Sequence, residues 1–150
     1  MRVALGADHA GVHLKDVVRS QLEARGIEVQ DVGTVGEASV DYPDYAVAVG
    51  RSVAAGDADR GILVCGTGLG MAIAANKIDG VRAAAVCDLD TARLAREHND
   101  ANVLALGARV TAPALALQIV ETFLDTSFAG GRHAARLEKI SAIEVGRATS

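Results

Sequence analysis

The chain is expected to fold as a three-layer α/β protein, with a five-stranded parallel sheet between two layers of helices. Three observations lead there. Short apolar runs alternate along the chain with segments whose apolar residues recur at helical spacing. The connections between them are short, as in successive strand–helix–strand units. Most of the runs are continuously apolar, as strands covered on both faces are. At 150 residues, half of them hydrophobic, one domain spanning 1-150 with a full core is expected.

The first strand, Arg2–Gly6, leads into the turn Asp8-His9-Ala10-Gly11. Leu14, Val17, Val18 and Leu22 then share one helix face, and Gly26 ends that helix. Ile27, Val29 and Asp31 alternate with Glu28 and Gln30, the pattern of a half-exposed strand, which places the second strand at a sheet edge. Gly33–Val40 is a loop. Asp41-Tyr-Pro-Asp44 opens the second helix, with Pro43 in its first turn, and that helix runs to about Ala55. Gly61–Cys65 is the third strand and Met71–Lys77 the third helix. Val81–Cys87 is a fourth strand, Thr91–Glu97 a fourth helix, Asn102–Leu106 a fifth strand and Ala112–Leu124 a fifth helix. Gly130-Gly131 breaks the chain before a C-terminal helix from about Arg132 to Val145, with Leu137 and Ile140 facing inward.

An edge second strand favours the Rossmann-like order 2-1-3-4-5, the other common doubly wound order being the alternative. In it, strands one and three are neighbours where the chain changes direction. Ligands bind in the crevice outside the carboxyl ends of strands at such a point. Asp8-His9 and Cys65-Gly66 both open onto it.

A formal charge of −4 and only four aromatic residues argue against a nucleic-acid binder. No apolar stretch approaches the roughly 18 residues of a membrane span, and the N-terminal run is too short for a secretory signal. Two cysteines in a chain of this size need no staple, so reduced thiols in a cytoplasmic protein are expected. Arginine outnumbers lysine twelve to three, which suits phosphate or carboxylate recognition, although general composition accounts equally well for most of them. Lys15, Lys77 and Lys139 read as solvated or helix-end charges, and His13 has no evident partner. No set of residues has metal-ligand spacing, so neither a metal nor another cofactor is expected.

The chemistry concentrates in Gly61–Lys77, where an apolar strand ends in Cys65 and Gly66, Gly68 and Gly70 alternate around Thr67 and Leu69. Free backbone N–H groups and a helix start beside Cys65 favour negative charge there. Cys87 reads as a small buried hydrophobe instead. As a dinucleotide loop the stretch is weak: Met71 stands at the third glycine, although Asp88 lies where a ribose-binding acid would. Arg132 and Arg136 fall on one face of the last helix's first turns, where cations oppose the macrodipole by up to about 1 kcal/mol each. An anionic ligand between them would compensate. His98-Asn99-Asp100 leads into the fifth strand, so it sits at the opposite end of the sheet from Cys65. A five-residue strand spans about 16 Å. A catalytic His98 would therefore serve a neighbouring subunit. A fully apolar fifth strand at an edge also suggests that a partner covers it.

Six segments together resemble the ribose-5-phosphate isomerases of the B type, the family that includes the galactose-6-phosphate isomerase subunits. They are Gly6-Ala-Asp-His-Ala-Gly11, Asp41-Tyr-Pro-Asp44, Cys65-Gly-Thr-Gly-Leu-Gly70, Ile73-Ala-Ala-Asn-Lys77, His98-Asn-Asp-Ala-Asn102 and Gly130-Gly-Arg-His133, and they span nearly the whole chain. The family divides by its base, a cysteine ending the third strand or a glutamate in the following helix. With Cys65 present and Met71 in the helix, the chain is similar to the cysteine branch.

The resemblance implies catalytic roles for Cys65, His98 and Thr67, with Cys65 as base and His98 opening the sugar ring. It implies that Asp8, His9, Gly66, Thr67, Gly68, Leu69, Gly70 and Asn99 surround the substrate. Arg109, Arg132 and Arg136 would hold it or its phosphate. The expected function is interconversion of ribose 5-phosphate and ribulose 5-phosphate through an enediolate, by metal-free proton transfer. The expected assembly is a homodimer with shared sites, which two dimers could extend. The alternatives are another phosphosugar (galactose 6-phosphate, allose 6-phosphate or a tetrose phosphate) or a non-catalytic nucleotide-binding module.

Overall fold

Five strands, each followed by a helix, carry the chain through β1 (Arg2–Ala7), α1 (Val12–Ala24), β2 (Glu28–Gly33), α2 (Tyr42–Ala54), β3 (Arg60–Cys65), α3 (Leu69–Ala75), β4 (Ala83–Ala85), α4 (Leu89–Glu97), β5 (Val103–Gly107) and α5 (Pro113–Asp125). A last helix, α6 (Arg132–Thr149), ends the chain. The computed structural model describes residues 1–149. All strand pairings are parallel, and the sheet order is β2-β1-β3-β5-β4.

The edge position of β2 agrees with its alternating sequence. The expected order 2-1-3-4-5 does not hold for the last two strands. From β3 the chain moves two places outward to β4, then returns one place to β5. Right-handed crossovers put helices on opposite faces when the direction of travel reverses. Accordingly α3 packs beside α2, while α4 packs beside α5 on the face that also carries α1. The buried, apolar β5 is therefore an interior strand, and its sequence is explained without a covering partner.

The β4 ladder is only three residues long, not the seven of the Val81–Cys87 run, and side chains take backbone groups at its start. The Arg82 N–H donates to Asn102 Oδ1 at 2.8 Å. The Asn76 amide accepts the Ala83 N–H at 2.8 Å and donates to the Ala83 carbonyl at 2.9 Å. The outward-facing edge of Ala83 is thereby sealed by one side chain rather than by a further strand. The third helix also starts and ends two residues earlier than its sequence suggests, at Leu69–Ala75.

Strand alternation divides the core between the two faces. Val3, Leu5, Ile62, Val64, Leu104 and Leu106 face α1, α4 and α5; Ala4, Leu63, Val103 and Ala105 face α2 and α3. Two helix positions depart from the periodicity. Val17 is 40 % exposed, whereas Lys15 is buried, its Nζ 2.6 Å from Asp31 Oδ2 on β2. Lys15 is thus no solvated charge. Ile140 is also exposed rather than inward-facing, because α6 runs past the β4 edge instead of over a sheet face. It is tied there by Glu144 Oε1, which accepts the Gly80 N–H, and by the Arg147–Asp79 ion pair.

Candidate active site

At the carboxyl end of β3 the strand delivers Cys65 into a cavity of about 270 Å³ lined by Asp8, Tyr42, Cys65, Gly66, Thr67, Gly70 and Arg109. The thiol is 5 % exposed, and its Sγ accepts the Gly68 N–H at 3.1 Å. That turn needs Gly68, whose φ is +82°, and a Cβ there would meet the β5 backbone at 3.1–3.2 Å. Asp8, buried at the end of β1, accepts N–H groups from Ala10 (3.0 Å) and Gly11 (3.1 Å) through one carboxylate oxygen. Arg109 is held by its N–H to the Gly66 carbonyl (2.9 Å), and its guanidinium lies over Gly66. His9 stands just outside this lining, where its Nδ1 accepts the Val40 N–H at 3.2 Å and so anchors the loop before α2. The Leu69 N–H lies 3.3 Å from Thr67 Oγ1, while the Leu69 side chain is exposed beside the cavity.

Tyr42 is the lining residue that its sequence context concealed. Beside Pro43 it reads only as a helix start, yet its ring lies so close to Gly70 that a Cβ there would meet it at 2.6 Å. The signal lay in the pairing of an aromatic at one helix start with a glycine at another.

His98, Asn99, Arg132 and Arg136 are not brought to this cavity. His98 caps the C-terminus of α4, and the turn into β5 passes through Asp100 with φ +44°. The Asp100 carboxylate pairs with Arg96 at 2.8 Å and Arg82 at 3.5 Å, while Arg82 Nε donates to its carbonyl at 2.9 Å. This clasp sets the direction of His98 and Asn99. The His98 ring stacks on His133 of α6, with centroids 4.2 Å apart and planes inclined by 18°. Burial, then the positive charges of His98, Arg132 and Arg136, hold His133 below the usual imidazole range. No acid lies in the first turn of α6. The register pairs Gly61 with Val103 and Cys65 with Gly107, so the His98 cluster lies at one end of the sheet and Cys65 at the other.

Three further expectations change. Asp88 is committed as the N-cap of α4, accepting from the Thr91 N–H at 2.7 Å, which leaves the dinucleotide pattern without its acid. Cys87 is an exposed free thiol rather than a buried hydrophobe, because β4 ends before reaching it. His13 has a partner after all, Glu37 Oε1 at 2.7 Å. Among the described residues, no three His, Cys, Asp or Glu side chains converge as a metal site requires, and no helix is long and apolar enough to cross a membrane.

Residues 3–140 match the family model described as Ribose/Galactose Isomerase. Ribose-5-phosphate isomerase B of Escherichia coli (strain K12) is 48 % identical over 143 residues, covering 95 % of this chain and 96 % of that protein. D-erythrulose-4-phosphate isomerase of Pectobacterium atrosepticum is 43 % identical over 146 residues, covering 96 % of this chain and 95 % of its own. Among solved structures, ribose-5-phosphate isomerase B of Clostridium thermocellum matches with a TM-score of 0.97 at 52 % identity, covering 98 % of this chain and 99 % of that one.

Proposed function

Since the chain belongs to the ribose/galactose isomerase family, we propose that it interconverts D-ribose 5-phosphate and D-ribulose 5-phosphate, with Cys65 as the base. The observation that carries this is the Cys65 thiol, hydrogen-bonded by the Gly68 N–H in a cavity shared with Asp8, Thr67 and Arg109. In the open aldose, C1 is a carbonyl and C2 bears an acidic hydrogen. Cys65 takes that proton, and the negative charge moves to O1 as an enediolate. N–H groups of the Gly66–Gly70 loop offset the charge. A proton passes from O2 to O1 along the Thr67 hydroxyl, and Cys65 returns its proton to C1. No hydrogen is gained or lost. A positioned base of this kind contributes roughly 10²–10⁴-fold.

The furanose must open first, losing a proton from its anomeric hydroxyl and gaining one at the ring oxygen. We assign that transfer to His98 of a partner subunit, together with Asn99. Arg132 and Arg136 lie beside His98 and bring the phosphate grip from the same end of the partner chain. The assembly is then a homodimer with two shared sites. The β5 sequence no longer supports it, but two other features do. The separation of Cys65 from His98 along β5 supports it, and exposed Leu69 and Val110 line an apolar pocket that shares Thr67 with the cavity. A thiol base suits a reducing cytoplasm, and both cysteines are free.

Similarity to D-erythrulose-4-phosphate isomerase supports a second substrate, a tetrose phosphate. Initial rates on ribose 5-phosphate, erythrulose 4-phosphate, allose 6-phosphate and galactose 6-phosphate decide between them. The expected outcome is the highest kcat/KM for ribose 5-phosphate. Cys65→Ala should lose turnover by at least about 10²-fold with sugar-phosphate affinity kept; normal turnover in that variant refutes the mechanism. Binding of NAD without any isomerisation would instead favour the nucleotide module.

A further inference from the structure

The proposed reaction uses His98 and leaves its stacked neighbour His133 without a role. Nearly parallel rings with centroids 4.2 Å apart bring two titratable groups into direct contact on two different elements. The surroundings are cationic. From α6 come Arg132 and Arg136, which act on His133 along with His98 of α4. The carboxylates of the neighbouring turn are engaged elsewhere, Glu97 with Arg93 at 2.7 Å and Asp100 with Arg96 and Arg82. Two imidazolium rings cannot both persist at this spacing amid two arginines without an anion to offset them.

We propose that His133 is a positioning residue for His98: the stacked pair holds at most one proton until a dianionic phosphate lies against Arg132 and Arg136. The inference rests on the reading of His98 as the ring-opening group and adds a regulation to it. With the phosphate ester absent, the pair is a proton acceptor. Phosphate binding lowers the local positive potential, and by linkage the pair takes up a further proton as the anion binds. The ring-opening acid is then supplied only when the sugar phosphate is seated, and His133 holds the His98 ring in the orientation from which it acts.

The test is a titration of the histidine rings by NMR on the full-length protein labelled with ¹⁵N-histidine, with and without inorganic phosphate. Three proteins are compared: wild type, His133→Phe, which keeps an aromatic stack without a charge, and His133→Asn. In the wild type the pair should titrate in two separated steps, the lower one below an ordinary imidazole, whereas each variant should show the single step of one ring. Inorganic phosphate should raise the lower step of the wild type. The acid limb of kcat/KM for ribose 5-phosphate should move in the variants. A purely packing role for His133 would instead lower kcat/KM equally at every pH. Two wild-type rings that titrate independently of each other, or a lower step indifferent to inorganic phosphate, overturns the proposal. The phosphate titration of the wild type decides alone if both variants misfold. The ring titrations need no turnover, so a failure of the isomerase assignment shows in the substrate panel and a failure of this pairing shows in the spectra.

Discussion

Gly70 and Tyr42 form one wall of the Cys65 cavity through the absence of a side chain. A Cβ at position 70 would come within 2.6–2.9 Å of the phenol end of a side chain that is 40 % exposed, so the ring must swing aside. Gly70→Ala should therefore displace Tyr42 and raise KM for the sugar phosphate about tenfold, with a smaller change in stability. Steady-state kinetics beside a urea melt check this, and an unchanged KM would remove Tyr42 from the site. A second residue-scale case is Asp31. Burial pushes its carboxyl up, but hydrogen bonds from Lys15 and the Gly33 N–H, with the charges of Lys15 and Arg19, overcome this and hold it below the usual carboxylate range. A depressed value means stability present at neutral pH and lost as pH falls through the folded-state value. Asp31→Asn, which leaves the buried Lys15 only the exposed Asp16 carboxylate at 3.4 Å, should cost about 3 kcal/mol at pH 7. The gap from wild type should narrow below about pH 4, read from urea midpoints across pH. Lys15 misleads in the sequence because helical periodicity ranks residues by type, whereas its burial depends on an acid sixteen positions away.

Among the elements, β4 departs most from what its sequence suggests. Seven residues, six of them apolar, look like a full strand, but at its start Asn102 takes the Arg82 N–H and Asn76 takes the outward groups of Ala83. Asn76→Ala should cost about 1–2 kcal/mol, two hydrogen bonds' worth, because water replaces them incompletely. It should also expose the β4 edge and increase self-association at high concentration. Denaturant unfolding and light scattering measure the two effects, and a variant as stable as wild type would show that the amide does not seal the edge. The other elements were legible because each obeys a local rule. Clear examples are Asp41 before Pro43, the alternation in β2 and the glycine turn after β3. The exchange of β4 and β5 was not legible, since both are short apolar runs and connection lengths do not say where a strand inserts.

For the whole molecule, the decisive feature is the division of chemistry between the two ends of one sheet. Cys65, Asp8, Thr67 and Arg109 gather at the carboxyl end, while His98, His133, Arg132 and Arg136 gather at the amino end of β5. If two chains complete each other's sites, inactive Cys65→Ala and His98→Ala proteins should complement on mixing and subunit exchange. Roughly a quarter of wild-type activity is expected, because half of the dimers are mixed and each carries one intact site. No recovery after exchange verified by mass would mean that each site is built from one chain.

From the sequence alone came the layered α/β class, the edge position of β2, the thiol at the end of β3 and the family resemblance. All of these rest on local periodicity, turn chemistry and short motifs. Only the tertiary structure decided the β5–β4 exchange, the burial of Lys15 against Asp31, Tyr42 against Gly70 and the stacking of His98 on His133. Each of these is a contact between elements. Its energy depends on which surfaces meet, and residue spacing along the chain does not specify that.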